Sequence, residues 1–339
     1  MSATAAERPA RIAVMGSGSW GTAFALVLSD AGNDVTLWAR RPELAAAINA
    51  EHRNPDYFPT VELPPALRAV SDPDEAVADA EFVVLGVPSQ SLRTNLSHWP
   101  IPRDAVVVSL AKGIELGTGL RMSQVVAEAG GIEADRIAVV TGPNLAREIA
   151  ERQPSASVVA SSSEETAAAL QRVCHTPRFR AYTNTDVIGC ELGGATKNVI
   201  ALAVGMAVGL GFGANATASV ITRGLAEISR LGQALGADPY TFSGLAGLGD
   251  LVATCSSPLS RNRTFGEELG RGRTVAEISA STRQVAEGVK SCASIQALAA
   301  QHEVEMPIVE NVAAVIAGDL TPAGLMTTLM SRSAKPERY

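Results

Sequence analysis

The chain has 339 residues, enough for two domains with their own cores, and 46% hydrophobic with 19% charged residues is the balance of a globular protein, which excludes a disordered chain. A net charge of -7 argues against nucleic acid as the main partner, while a local cationic pocket for a small anion remains open. Cys174, Cys190, Cys255 and Cys292 are widely separated, with no C-x-x-C pair and no histidine at a ligand interval, so neither a metal site nor a disulfide framework is expected.

The opening MSATAAERPAR has no apolar segment of the kind a secretory signal needs, and a cytoplasmic location with reduced thiols is the expectation. Ile12 to Met15 reads as a short strand that runs into Gly16-Ser-Gly18-Ser-Trp-Gly21 and then a helix from Thr22 to Ala31. In that position G-x-G-x-x-G suits a dinucleotide. Gly16 allows the tight bend, Gly18 lets backbone approach a pyrophosphate, and Gly21 lets helix and strand pack closely, with the helix N-terminus facing the phosphates. The next strand, Asp34 to Trp38, ends at Arg40-Arg41, where an enzyme preferring NAD offers a carboxylate to the ribose. Two guanidinium groups suit a 2′-phosphate instead, so NADP(H) is expected to bind at least as well as NAD(H).

From Pro42 to Thr141 short apolar strands alternate with helical stretches, including a helix capped by Asp72 with Pro73 at its first position. The alternation predicts a doubly wound, Rossmann-like parallel sheet whose ligands lie beyond the C-terminal ends of the strands. Two loops stand at such ends, Leu110-Ala-Lys112-Gly-Ile-Glu115 and Gly142-Pro-Asn144-Leu-Ala146, and the first would aim Lys112 at a substrate oxygen or the nicotinamide edge. Ser157 to Ala160 and Phe179 to Thr183 add two further edge strands.

After residue 188 strand patterns give way to helical ones, so the division expected is a dinucleotide-binding domain over 1–188 and a mainly α-helical substrate and catalytic domain over 189–339. Its opening stretch, ELGGATKNVIALAVGMAVG, carries one lysine, Lys197, in what the spacing predicts to be the early turns of a buried helix. A lysine there is either a proton donor tuned by its surroundings or a side chain that snorkels to water. The apolar run reads as a core helix and not as a membrane span, because Gly205, Gly209, Gly211 and Gly213 interrupt it. Two loops are expected further on. One brings Asp250 after glycines, and the other holds Ser260-Arg261-Asn262, a hydroxyl, a guanidinium fork and an amide that can together donate to a phosphate, or else a helix cap followed by solvated arginines.

The blocks GSGSWGTAFA, SLAKGIE, TGPNLAREIA, ELGGATKNVIALAVGMAVGLGFGANA, TFSGLAGLGDLVATCSSPLSRNRTFG and VAEGVKSCASI, in this order, resemble those of the soluble NAD(P)-dependent glycerol-3-phosphate dehydrogenases of bacterial type. The resemblance spans nearly the whole chain. It implies reversible reduction of dihydroxyacetone phosphate to sn-glycerol 3-phosphate for glycerophospholipid synthesis. It also implies Lys197 as general acid with Lys112 and Asp250 beside it, and a substrate held by Lys112, Gly142, Asn144, Lys197, Asp250, Ser260, Arg261 and Asn262. The cofactor positions it implies, beyond the glycines, are Ser19, Trp20, Arg40, Arg41, Lys112, Ala146, Arg261, Val285 and Glu287. Asn144 stands where that family commonly has serine. A related dehydrogenase of 3-hydroxy acids and a non-catalytic NADPH sensor are the alternatives, the first having no need of a phosphate loop and the second none of Lys197 with Arg261. A homodimer is expected from the prevalence of twofold assemblies.

Overall fold

The computed structural model describes residues 8–281, 286–334 and 336–337. The chain divides into two compact units: one holds the sequence up to Lys112 together with Leu120–Glu191, the other Gly113–Gly119 together with everything from Leu192. The short Gly113–Gly119 excursion, just after Lys112, therefore belongs with the C-terminal half.

In the first unit the elements are β1 (Arg11–Met15), α1 (Ser19–Asp30), β2 (Asp34–Trp38), α2 (Pro42–Glu51), β3 (Arg68–Val70), α3 (Pro73–Val77), β4 (Phe82–Leu85) and α4 (Leu92–Leu96), followed by β5 (Val106–Ser109), α5 (Met122–Gly130), β6 (Ile137–Thr141), α6 (Ala146–Ala150), β7 (Ser155–Ala160), α7 (Glu164–Cys174) and β8 (Phe179–Asn184). The eight strands form one sheet in the order β3-β2-β1-β4-β5-β6-β7-β8. Side chains of β1 alternate between two cores: Ile12 and Val14 join Phe24, Leu26 and Leu37 on one face, while Ala13 and Met15 join Val83, Leu85, Leu92 and Val125 on the other. Apolar residues at each position from Ile12 to Met15 are what a strand covered on both faces requires. The Asp72 cap is present, its Oδ1 accepting from the Asp74 N–H at 2.9 Å.

The sheet departs from the expected all-parallel form at one seam. β6 and β7 pair antiparallel, Val139 opposite Ala160, and β7 and β8 then run parallel to each other.

In the second unit the elements are α8 (Val187–Gly209), whose first turn belongs to the first unit, α9 (Ala214–Ala234), α10 (Asp250–Ser256), α11 (Arg261–Gly270), α12 (Val275–Ser281), α13 (Glu287–Gln301), α14 (Pro307–Ala317) and α15 (Pro322–Met330). α8 is long and apolar enough by length and composition to cross a membrane, yet 89% of its apolar window is buried inside the protein, as in a core helix. It begins at Val187, so Lys197 lies near the middle of its 23 residues and not in the early turns expected from the sequence. Asp250 and Arg261, expected in loops, instead open α10 and α11.

Candidate functional site

At the C-terminal end of β1 the glycine turn is built by contacts that no side chain could survive. Gly16 has φ +139°, and a Cβ on it would stand 2.6 Å from the carbonyl oxygen of Gly86, which follows β4. A Cβ on Gly21 would meet the Gly16 oxygen at 1.9 Å, so the start of α1 lies directly on the turn. β1 and β4 are the neighbours between which the strand order reverses, the position where doubly wound sheets bind their ligands. Gly86 was not singled out in the sequence, because its partner lies across the sheet.

Gly18 is the N-cap of α1, brings no side chain to the first-turn N–H groups and has nothing within 4 Å of where its Cβ would be. That opening fits a pyrophosphate. Trp20 packs on Phe24 at 5.5 Å and leaves its buried indole Nε1 without a hydrogen-bond partner among the described residues. Asn54, buried in the loop after α2, donates from Nδ2 to the Ser17 carbonyl and the Thr22 hydroxyl, both at 2.9 Å, and so pins that loop to the turn. In the sequence the one signal Asn54 carries is its place in an Asn-Pro turn. Beyond β2, Arg40 is exposed, whereas Arg41 is ion-paired with Asp56 of the same loop.

The loops after β5 and β6 meet. Lys112 Nζ donates to the Gly142 carbonyl at 3.1 Å, and Gly142, at φ +126°, packs on Ser157 of β7. Asn144 Nδ2 donates to the Ser157 hydroxyl at 3.0 Å, and its buried Oδ1 has no hydrogen-bond partner among the described residues. Ala146 starts α6 and packs against the core.

In the second unit the central feature is a buried ion pair. Lys197 Nζ bonds to Asp250 Oδ1 and donates to Thr254 Oγ1 at 2.7 Å, with Lys197 6% and Asp250 1% exposed. Two glycines bring the partners together. A Cβ on Gly193, one turn before Lys197, would stand 2.5 Å from the Ala246 carbonyl, and one on Gly247 would enter Phe242 at 2.2 Å. The Leu245–Gly249 turn is thereby pressed onto α8 in a π-helical conformation, and Asp250 emerges from it facing the lysine. Thr254 was not anticipated; it lies four residues past Asp250, on the same face once 250–256 is helical.

The Ser260-Arg261-Asn262 segment is the N-terminus of α11. Ser260 is its cap, with Oγ accepting from the Arg263 N–H at 3.3 Å. Asn262 turns inward, donating to Asn198 Oδ1 at 3.0 Å and accepting from the Gly288 N–H at 2.9 Å, while Arg261 is exposed. Glu287 opens α13, and Val285 lies outside the described residues. The structure thus joins Lys197 to Asp250, Lys112 to Gly142, and Asn262 to the residue beside Lys197.

Family models for the N- and C-terminal parts of NAD-dependent glycerol-3-phosphate dehydrogenase match residues 11–167 and 186–327. Glycerol-3-phosphate dehydrogenase (NAD(P)+) of Streptomyces avermitilis is 63% identical over 332 residues, covering 97% of this chain and 99% of the relative. The counterpart in Thermobifida fusca is also 63% identical, with the same coverage. Among solved structures, the glycerol-3-phosphate dehydrogenase of Coxiella burnetii superposes with a TM-score of 0.91 at 37% identity, covering 96% of this chain and 99% of that one. With both halves matched, close relatives aligned from end to end and a dinucleotide turn at the reversal point of the sheet, the chain belongs to the NAD-dependent glycerol-3-phosphate dehydrogenase family.

Proposed function

We propose that the protein reduces dihydroxyacetone phosphate to sn-glycerol 3-phosphate, reversibly, with Lys197 as the proton donor. The observation that carries this reading is the buried Lys197–Asp250–Thr254 group, a hydrogen-bonded ammonium held in place inside an apolar helix bundle. A bound reduced nicotinamide cofactor supplies the hydride. The Gly16–Gly21 turn and the first-turn N–H groups of α1 hold its pyrophosphate. Lys197 stabilises the negative charge that grows on the ketone oxygen and donates a proton to it, and Asp250 and Thr254 fix the direction in which the amine points. Lys112, braced on the Gly142 carbonyl, adds positive potential. Arg261, with the N-terminus of α11, anchors the substrate phosphate; Ser260 and Asn262, largely engaged in capping and bridging, contribute the donors they have left.

Arg40 is the residue of this reading that selects NADPH, since Arg41 is shared with Asp56. The same reading has the protein as a cytoplasmic homodimer that supplies glycerophospholipid synthesis. The test is oxidation of NADPH and of NADH, each with dihydroxyacetone phosphate, followed by absorbance. Turnover with the phosphorylated ketone is expected, and Arg40→Ala should raise KM for NADPH about tenfold more than KM for NADH. Absence of turnover with either cofactor would refute the reaction; equal losses for both cofactors would remove Arg40 from the 2′-phosphate.

A further inference from the structure

At the end of β2, where an enzyme preferring NAD offers a carboxylate to the adenosine ribose, this chain has Arg40 and Arg41. A carboxylate arrives there by another route. Asp56, 15 positions beyond Arg41 in the loop after α2, forms an ion pair with it through Oδ2 and Nη2. Arg40 is exposed and pairs with no carboxylate among the described residues.

The place of Asp56 is set from both ends of a tight turn. Asn54 and Phe58 bridge each other across it, the Phe58 N–H donating to the Asn54 carbonyl at 2.8 Å, and Phe58 is buried in the same core as Phe24 of α1. The Asn54 side chain supplies the second tie. Its Oδ1 accepts from the Asp56 N–H at 3.2 Å, while its Nδ2 donates to the Ser17 carbonyl in the glycine turn and to the Thr22 hydroxyl in α1. One buried amide thus couples the carboxylate at Arg41 to the turn assigned to the pyrophosphate.

The ion pair itself is on the surface, with the Arg41 side chain 55% and that of Asp56 40% exposed, so water competes for both partners and the pair is weak. A ribose 2′-phosphate brings about two negative charges to this end of the strand. We propose that Asp56 sets the balance between the two cofactors: it masks Arg41, leaving Arg40 alone to meet a 2′-phosphate, and its own charge opposes that phosphate. This rests on the reading of Arg40 as the 2′-phosphate ligand. The uncharged 2′-hydroxyl of NADH is nearly indifferent to the mask, whereas NADPH finds one guanidinium fewer than the sequence offers. Removing the carboxylate turns a site open to both cofactors into one that favours NADPH.

The experiment measures kcat/KM for NADPH and for NADH, with dihydroxyacetone phosphate, in wild type, Asp56→Asn, Arg40→Ala and the double variant. Inhibition by adenosine 2′,5′-bisphosphate and by adenosine 5′-monophosphate reads the ribose end without the nicotinamide. Asp56→Asn should raise the NADPH to NADH ratio about fivefold and tighten the bisphosphate about fivefold more than the monophosphate. Asp56→Ala, which removes the acceptor as well as the charge, should move both in the same direction. With Asp56 replaced, Arg40→Ala should cost NADPH about threefold less than it does in wild type, because the released Arg41 takes over the phosphate. A ratio that stays put or moves toward NADH, or strictly additive effects of the two substitutions, overturns the proposal. Equal losses of both cofactors on Arg40→Ala in wild type would overturn it differently, by removing the 2′-phosphate from this end of β2 altogether, so the two failures are distinct.

Discussion

Lys197 is a charged side chain on a stretch of helix where Thr196, Val199 and Ile200 have no exposure at all. The reason an ammonium can be there is Asp250, and the dependence runs both ways: removing one member strands the other's charge in a poorly solvated place. Lys197→Ala should lower kcat by about 10³-fold or more and cost on the order of 3–5 kcal/mol of stability, while the affinity for NADPH followed by its fluorescence stays within about twofold. Turnover close to wild type would take the lysine out of the proton-donor role. A lone charge in an apolar run marked this residue in the sequence as unusual, but its partners were legible only by resemblance or not at all. Asp250 is 53 positions away, and Thr254 lies between the two expected loops, in a segment that carries no helical signal of its own and that the structure makes helical.

Helices in the second unit are joined by groups that cap one another, and α9 with α14 is the clearest case. Glu227 of α9 is 3% exposed and accepts from the Ile308 and Val309 N–H groups at 2.8 and 3.3 Å, at the N-terminus of α14. Burial pushes its carboxyl from the ordinary 4.5 up to about 7, against the two N–H bonds and Arg230, which lower it, with Glu310 adding to the rise. The folded chain therefore binds more protons than the unfolded chain between pH 4.5 and about 7. The stability contributed by protonated Glu227 is complete below the lower value and lost as the pH climbs through the upper one. Glu227→Gln stays neutral throughout, so relative to this variant the wild type should lose up to about 3 kcal/mol between pH 5 and pH 8 in denaturant titrations. Parallel curves for the two proteins would show that the carboxyl titrates alike folded and unfolded. An element with a strong local signal, such as β2, has the bounds that its sequence suggested. α10 and the π-helical turn before it did not announce themselves, because Gly244, Gly247 and Gly249 read as a loop, and what makes that segment helical is its packing on Gly193 and Phe242.

Across the molecule all four cysteines are free and buried, Cys174 and Cys190 in the first unit, Cys255 and Cys292 in the second. Burial raises each thiol, to about 12 for Cys174 and Cys255, so the thiolate that would react is scarce at neutral pH. A thiol-reactive dye should label native protein slowly, at rates that follow unfolding of the surrounding unit, and label every cysteine at once in denaturant. Fast labelling of a cysteine under native conditions would reveal a local opening around it.

Sequence alone determined the glycine turn after the first strand, the strand and helix alternation of the N-terminal half, the helical C-terminal half, and through its ordered motifs the family. These are readings of period and of short-range spacing, and such signals survive without knowledge of what packs where. Tertiary structure decided the reversal at β7, the inward turn of Asn262, the closure of Thr254 and Asp250 on Lys197, and the backbone contact of α8 with α11. Each of those joins groups far apart along the chain, through glycines whose role is to let backbones touch, and a glycine does not state in the sequence which backbone it will meet.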